Sequence, residues 1–270
     1  VDINDLASEL LSSERKSIVI SGSNDPNIQL LVNAINQLLG NYENTISWDN
    51  PLQTRQGSDS EFDSFITELE SGKVSALLAW GVNPVFDHPK GKAIAEAIKK
   101  LSLSVSFAER KDETANACQY ILHEPNYLES WGDFEPKSGI LSLAQPTIAP
   151  LFDSRPVQEC LLKWSGETLN YKDYIQEYWE ANFFSEQEEY TDFRIFWNNT
   201  LQKGVFSVSK RNEPDYSSEG LAEAATKIPS AKNGIEIAFY ETIARGNGKY
   251  GNNPWLQELP DPIAKISWDN

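Results

Sequence analysis

The stretch over residues 74–89 most constrains what this chain can fold into. An apolar run over residues 74–80 stops abruptly at Gly81-Val82-Asn83-Pro84, and helical spacing resumes near Gly91. A short apolar run bounded by glycine and proline reads as a buried strand. The loop after such a strand lies at its carboxyl end, where open α/β sheets place their ligands. The flanking segments fit the same plan. Phe62, Phe65, Ile66 and Leu69 give a short amphipathic helix that stops at Gly72, and Ile94, Ala95, Ala97, Ile98 and Leu101 give another. Residues 103–107 read as a strand, 113–117 as one helical turn and 120–122 as a further short strand. This alternation predicts a largely parallel sheet with crossover helices.

Upstream, Ile3, Leu6, Ala7, Leu10 and Leu11 have helical spacing behind Asp2, a suitable N-cap. Residues 17–21 form a β-branched strand candidate closed by Gly22. Asp25 and Pro26 then start a helix whose apolar stripe is Ile28, Leu31, Val32, Ile35, Leu38 and Leu39. Strand, turn and helix in this order predict a βα unit. Its turn, Ser21-Gly22-Ser23-Asn24-Asp25, lacks both the Gly-Lys-Ser/Thr ending of a Walker loop and the three spaced glycines of a dinucleotide fingerprint, so it reads as a structural turn. Residues 48–59 are polar and loop-like.

Beyond Gly166 the texture changes. Residues 171–184 and 193–201 are aromatic helices separated by the acidic run Ser185-Glu186-Gln187-Glu188-Glu189. Residues 205–209 and 235–240 read as strands, 211–230 as polar and partly irregular, and 246–270 as an extended connector.

Charge and residue counts exclude several functions. A formal net charge of −17 repels nucleic-acid backbones and anionic membranes, so neither is an expected partner. Two cysteines, Cys118 and Cys160, cannot supply a four-cysteine cluster, and their sequence positions leave open whether they pair. The two histidines, His88 and His123, lack evident companion ligands, so no metal site is assigned. No Gly-x-Ser-x-Gly elbow is present, and 40 carboxylates make any acid–base pair arbitrary. No catalytic residue is assigned.

What remains is a series of loops that follow strand candidates: Gly81-Val82-Asn83-Pro84, Glu109-Arg110-Lys111-Asp112-Glu113-Thr114, and the run from His123 through Tyr127-Leu128-Glu129-Ser130-Trp131-Gly132-Asp133. Parallel strands would put them at one sheet edge, where Asn83, Thr114 and Glu129 converge on a crevice. The alternative is that Asn83 and Asp112 are turn formers and Thr114 begins a helix.

Taken in order, these loops resemble a known family. Together with Gln145-Pro146-Thr147-Ile148-Ala149-Pro150-Leu151-Phe152-Asp153-Ser154-Arg155, they look like molybdopterin oxidoreductase large subunits of the polysulfide-reductase-like kind. They are most similar to the molybdopterin-like subunit of bacterial alternative complex III. The run Gly251-Asn252-Asn253-Pro254-Trp255-Leu256-Gln257-Glu258-Leu259-Pro260-Asp261-Pro262 is similar to the connector before that subfamily's C-terminal domain. The resemblance implies an α/β, Rossmann-like, mostly parallel sheet with flanking helices over residues 1–166. A smaller α+β extension and connector over 167–270 would follow it. It also implies that Asn83, Glu113, Thr114 and Glu129 correspond to contacts with molybdopterin guanine dinucleotide in catalytic relatives.

Three departures point away from cofactor use in this segment. Leu122-His123-Glu124-Pro125 stands where catalytic members have Leu-Pro, and both an iron–sulfur cysteine cluster and a metal-ligand motif are missing. The expectation is a middle segment of a larger subunit, non-catalytic and structural, with iron–sulfur clusters elsewhere in the parent. Its partners would be other domains of that subunit and other subunits of a membrane-associated, quinol-oxidising respiratory complex. It would face the bacterial periplasm without entering the membrane. The alternative is the pterin-dinucleotide-binding part of a true molybdenum oxidoreductase.

Overall fold

The computed structural model describes all residues except Val1, Glu43, Arg55, 209–218, 229–233, Glu236, 238–240, 242–244, Asn247, Lys249, Asn252 and 269–270. In chain order the elements are α1 (Ile3–Ser12), α2 (Pro26–Leu38), α3 (Asp59–Glu70), β1 (Ala76–Trp80), α4 (Pro84–Asp87), α5 (Gly91–Ile98), β2 (Leu103–Ala108), α6 (Glu113–Ala117) and β3 (Tyr120–His123). They continue with β4 (Gly132–Lys137), β5 (Ile140–Ala144), α7 (Val157–Ser165), α8 (Tyr171–Asn182), α9 (Phe193–Lys203), β6 (Val205–Ser207), α10 (Leu221–Lys227) and α11 (Pro254–Glu258). The protein is a mixed α/β chain with a parallel sheet and a separate antiparallel one. The strand expected over 235–240 falls largely on residues outside the described set.

Contacts group the chain into two compact units, both discontinuous in sequence. The first comprises Val1–Arg55, Phe134–Ser142 and Gln202–Ile235. Helix α1 is capped by Asp2, whose carboxylate accepts from the Asn4 amide, and α2 by Asp25 with Pro26 in its first turn. Helix α2 packs on α10, and β5 lies between β4 and β6, antiparallel to β6.

The βα unit expected near the start of the chain is overturned. Residues 17–21 form no strand, so the βα unit does not exist. The side chain of Asn36 on α2 takes the place of a neighbouring strand. Its Oδ1 accepts from the Val19 N–H (2.9 Å), and its Nδ2 donates to the Val19 carbonyl (2.7 Å). Asn41 donates to the same Oδ1, and both amides are buried. An extended segment whose central peptide is already satisfied has less need of a sheet.

The second unit comprises Gln56–Asp133, Leu143–Leu201 and Glu236–Asn270. Its sheet runs β1-β2-β3, all parallel, with Leu78↔Val105 and Phe107↔Leu122 in register. Ile66 and Leu69 of α3, Ile94, Ala97 and Ile98 of α5, and Ala117 of α6 form one buried cluster. Val105 and Phe107 of the central strand pack with Val157 and Cys160 of α7 in another. Alternate residues of β2 thus serve different layers, with Ser104 and Ser106 buried between the apolar ones. Both cysteines are free, and they belong to different clusters.

Helices α8 and α9 carry an aromatic core. Trp179, Phe196 and Trp197 are almost fully buried, with the Trp179 and Trp197 rings edge-on at 6.1 Å. Helix α7 is absent from the sequence reading although its signal is present: Val157, Cys160, Leu161 and Trp164 have helical spacing. Helix α4 has four residues, too few for periodicity to show. Among its described residues the connector holds one short helix, α11.

Candidate functional site

The geometry at the carboxyl ends of the parallel strands follows from local sequence. Gly81 leaves β1 at φ +63, a conformation that costs glycine little, and Pro84 starts α4 directly after Asn83. Asp112 caps α6 through the Ala115 N–H at 2.8 Å, which places Glu113 and Thr114 in its first turn.

Asn83, Glu113 and Thr114 do meet. The Asn83 Nδ2 donates to Glu113 Oε2 at 2.7 Å. Its Oδ1 accepts from the Thr114 backbone N–H at 3.1 Å and from the Thr114 hydroxyl at 2.8 Å. The Thr114 oxygen in turn accepts from the Val85 N–H at 3.1 Å. Thr114 is fully buried. The hydrogen bond from Asn83 holds the exposed Glu113 carboxyl below the usual carboxylate range. These residues tie the loop after β1 to the helix start after β2.

Glu129 serves a different loop. Its Oε2 accepts from the Asn126 N–H at 3.2 Å and its Oε1 from the Leu151 N–H at 3.3 Å. The 147–148 amides also donate to the Leu128 carbonyl, so the run after β3 is pinned to residues 147–151. A further link is the Trp80 indole N–H, which donates to both oxygens of Glu124 at 2.8 and 2.9 Å.

A pyrophosphate or pterin needs convergent free donors at such an edge. Here the Asn83 amide donates to Glu113, the Thr114 hydroxyl is enclosed, and both glutamates act as acceptors. As placed, the four side chains do not make a donor cradle for a dinucleotide. No group of three potential metal ligands occurs among the described residues. His88 accepts from the Lys90 N–H through Nδ1 and stands edge-on to the Phe62 ring.

Sequence reasoning used Asp133 only as part of a motif. In the structure its carboxylate accepts from the Tyr171 hydroxyl (3.1 Å) and the Trp179 indole N–H (3.4 Å), which joins the strand start at β4 to α8. The tyrosines and tryptophan of α8 were legible as aromatic positions, but their shared acceptor was not.

No protein-family model matches the chain. Over 106 residues it is 33% identical to the menaquinone reductase molybdopterin-binding-like subunit of Nitratidesulfovibrio vulgaris. That match covers 37% of this chain and 15% of the relative's length. Among solved structures, acetylene hydratase from Pelobacter acetylenicus aligns with a TM-score of 0.37 and 15% identity, over 58% of this chain and 21% of that one. A likeness to a molybdopterin-type subunit is therefore found in a curated relative's sequence, over a segment.

Proposed function

We propose that this chain is a non-catalytic, structural segment of a molybdopterin-oxidoreductase-like subunit in a quinone-coupled respiratory electron-transfer complex. The observation that carries the reading is the Asn83–Glu113–Thr114 knot. Side chains that the family resemblance would align with cofactor contacts are here hydrogen-bonded to one another and fasten two loops. The relative's printed name, a molybdopterin-binding-like subunit of a menaquinone reductase, supports both the subunit type and the quinone link. In this reading the parent subunit docks against the other subunits of a membrane-associated complex on its periplasmic side, and electron carriers lie elsewhere in the parent.

A second reading makes the chain the pterin-dinucleotide-binding part of a true molybdenum oxidoreductase. It draws on the meeting of Asn83 and Thr114 at the carboxyl edge of a parallel sheet, the usual ligand position of such folds. Metal and pterin analysis of the full-length parent subunit, purified from its own host, separates the two. The structural reading expects neither molybdenum nor pterin, and stoichiometric molybdenum would overturn it.

A further inference from the structure

We propose that the cleft between α7 and α8 is a binding site for a small organic cation carrying an apolar or aromatic body. This goes beyond the structural role above and does not depend on it. The cleft encloses about 540 Å³, within the range of roughly 300–1,000 Å³ typical of small-molecule sites. Leu161 lines one wall, and Tyr171, Tyr174 and Tyr178 line the other. Asp133, Gln158 and Ser165 add polar groups to the tyrosine hydroxyls.

The chemistry selects the sign of the ligand. An ionised carboxylate has about four acceptor positions, and Asp133 fills two of them with neutral donors, Tyr171 and Trp179. Among the described residues no lysine, arginine or histidine forms an ion pair with it. Lys172, next to Tyr171, lies instead over the Trp131 ring at 5.5 Å. Tyr171 stays a neutral donor, because burial and the neighbouring Asp133 charge raise its phenol above the usual range. The Tyr174 and Tyr178 rings are stacked at 6.5 Å and partly exposed, so their faces are available to a cation.

Other ligand classes fit less well. An anion would meet a carboxylate and no basic side chain among the lining residues. A purely apolar ligand would cover the charge without compensating it. A hard metal ion needs six or more oxygen ligands, and one carboxylate does not provide them.

The test is calorimetric titration of the whole chain with benzyltrimethylammonium, benzyl alcohol and phenylacetate. The cation should bind at least about tenfold more tightly than either of the others, the scale of a desolvated cation–π contact. Asp133→Asn and Tyr174→Ala should each weaken the cation by about tenfold, and Tyr174→Phe should leave it unchanged. Tyr174 is partly exposed, so its variants test the site even if the Asp133 change disturbs folding. Equal affinity for the alcohol, or unchanged cation affinity in a folded Tyr174→Ala chain, would overturn the proposal. Tighter binding of an arginine-bearing peptide than of the benzyl cation would overturn the small-molecule assignment.

Discussion

One Asn83 amide makes three hydrogen bonds, donating to Glu113 and accepting twice from Thr114. Each such bond contributes on the order of 1 kcal/mol, and the buried Thr114 hydroxyl would lose its acceptor. Asn83→Ala should therefore lower stability by about 2 kcal/mol in urea denaturation. The pH dependence has a definite sign. Glu113 titrates below its ordinary 4.5 because Asn83 donates to it. The stability from this bond is present above that pH and is lost as pH falls through the lowered folded-state value. Asn83→Ala should flatten this part of the acid limb, by a small amount because Glu113 is exposed. Asn83 itself was legible in the sequence as the end of a strand and the start of a Pro-led turn. Its choice of partners was not, since Glu113 and Thr114 stand some thirty positions away.

At the scale of elements, α4 and α5 meet through a glycine. A Cβ on Gly91 would stand 2.0 Å from the Val85 carbonyl oxygen, and the obstacle is backbone rather than a flexible side chain. Gly91→Ala should cost about 1–3 kcal/mol despite alanine's better helix propensity, because the backbones must separate. Thermal unfolding checks this, and a stabilised variant would show that α4 yields easily. Amphipathic helices with a cap were the most legible elements. Both α2 and α3 begin where Asp25 and Ser58 cap them, and their apolar spacing is plain. The strand expected at 17–21 failed for the opposite reason. Its β-branched residues favour extension, but a strand needs a neighbour, and Asn36 took that role instead.

Across the whole molecule, both compact units are assembled from separated segments. The parallel sheet, its covering helices and the aromatic pair α8–α9 belong to one of them. A fragment ending at residue 166 would remove Tyr171 and Trp179, the donors to Asp133, along with the aromatic core. Such a fragment should unfold at lower denaturant and be cleaved faster by protease than the full chain. Equal resistance would support a self-sufficient domain over 1–166. The net charge of −17 gives a field that attracts cations, in line with the cationic ligand proposed for the cleft beside Asp133.

The sequence alone determined the alternation of helix and strand around residues 74–122, the capped helices and the likeness to molybdopterin-type subunits. These depend on local spacing, on turn residues and on short ordered motifs, which the chain carries in linear form. Tertiary structure decided which polar groups remain free. Asn83 and Thr114, which the resemblance aligns with cofactor contacts, are hydrogen-bonded to each other, and Glu129 accepts from the Leu151 N–H. Asp133 had no assigned role until α8 brought two donors to it. A hydrogen bond is satisfied by whatever lies within about 3 Å, and only the packed chain determines what that is.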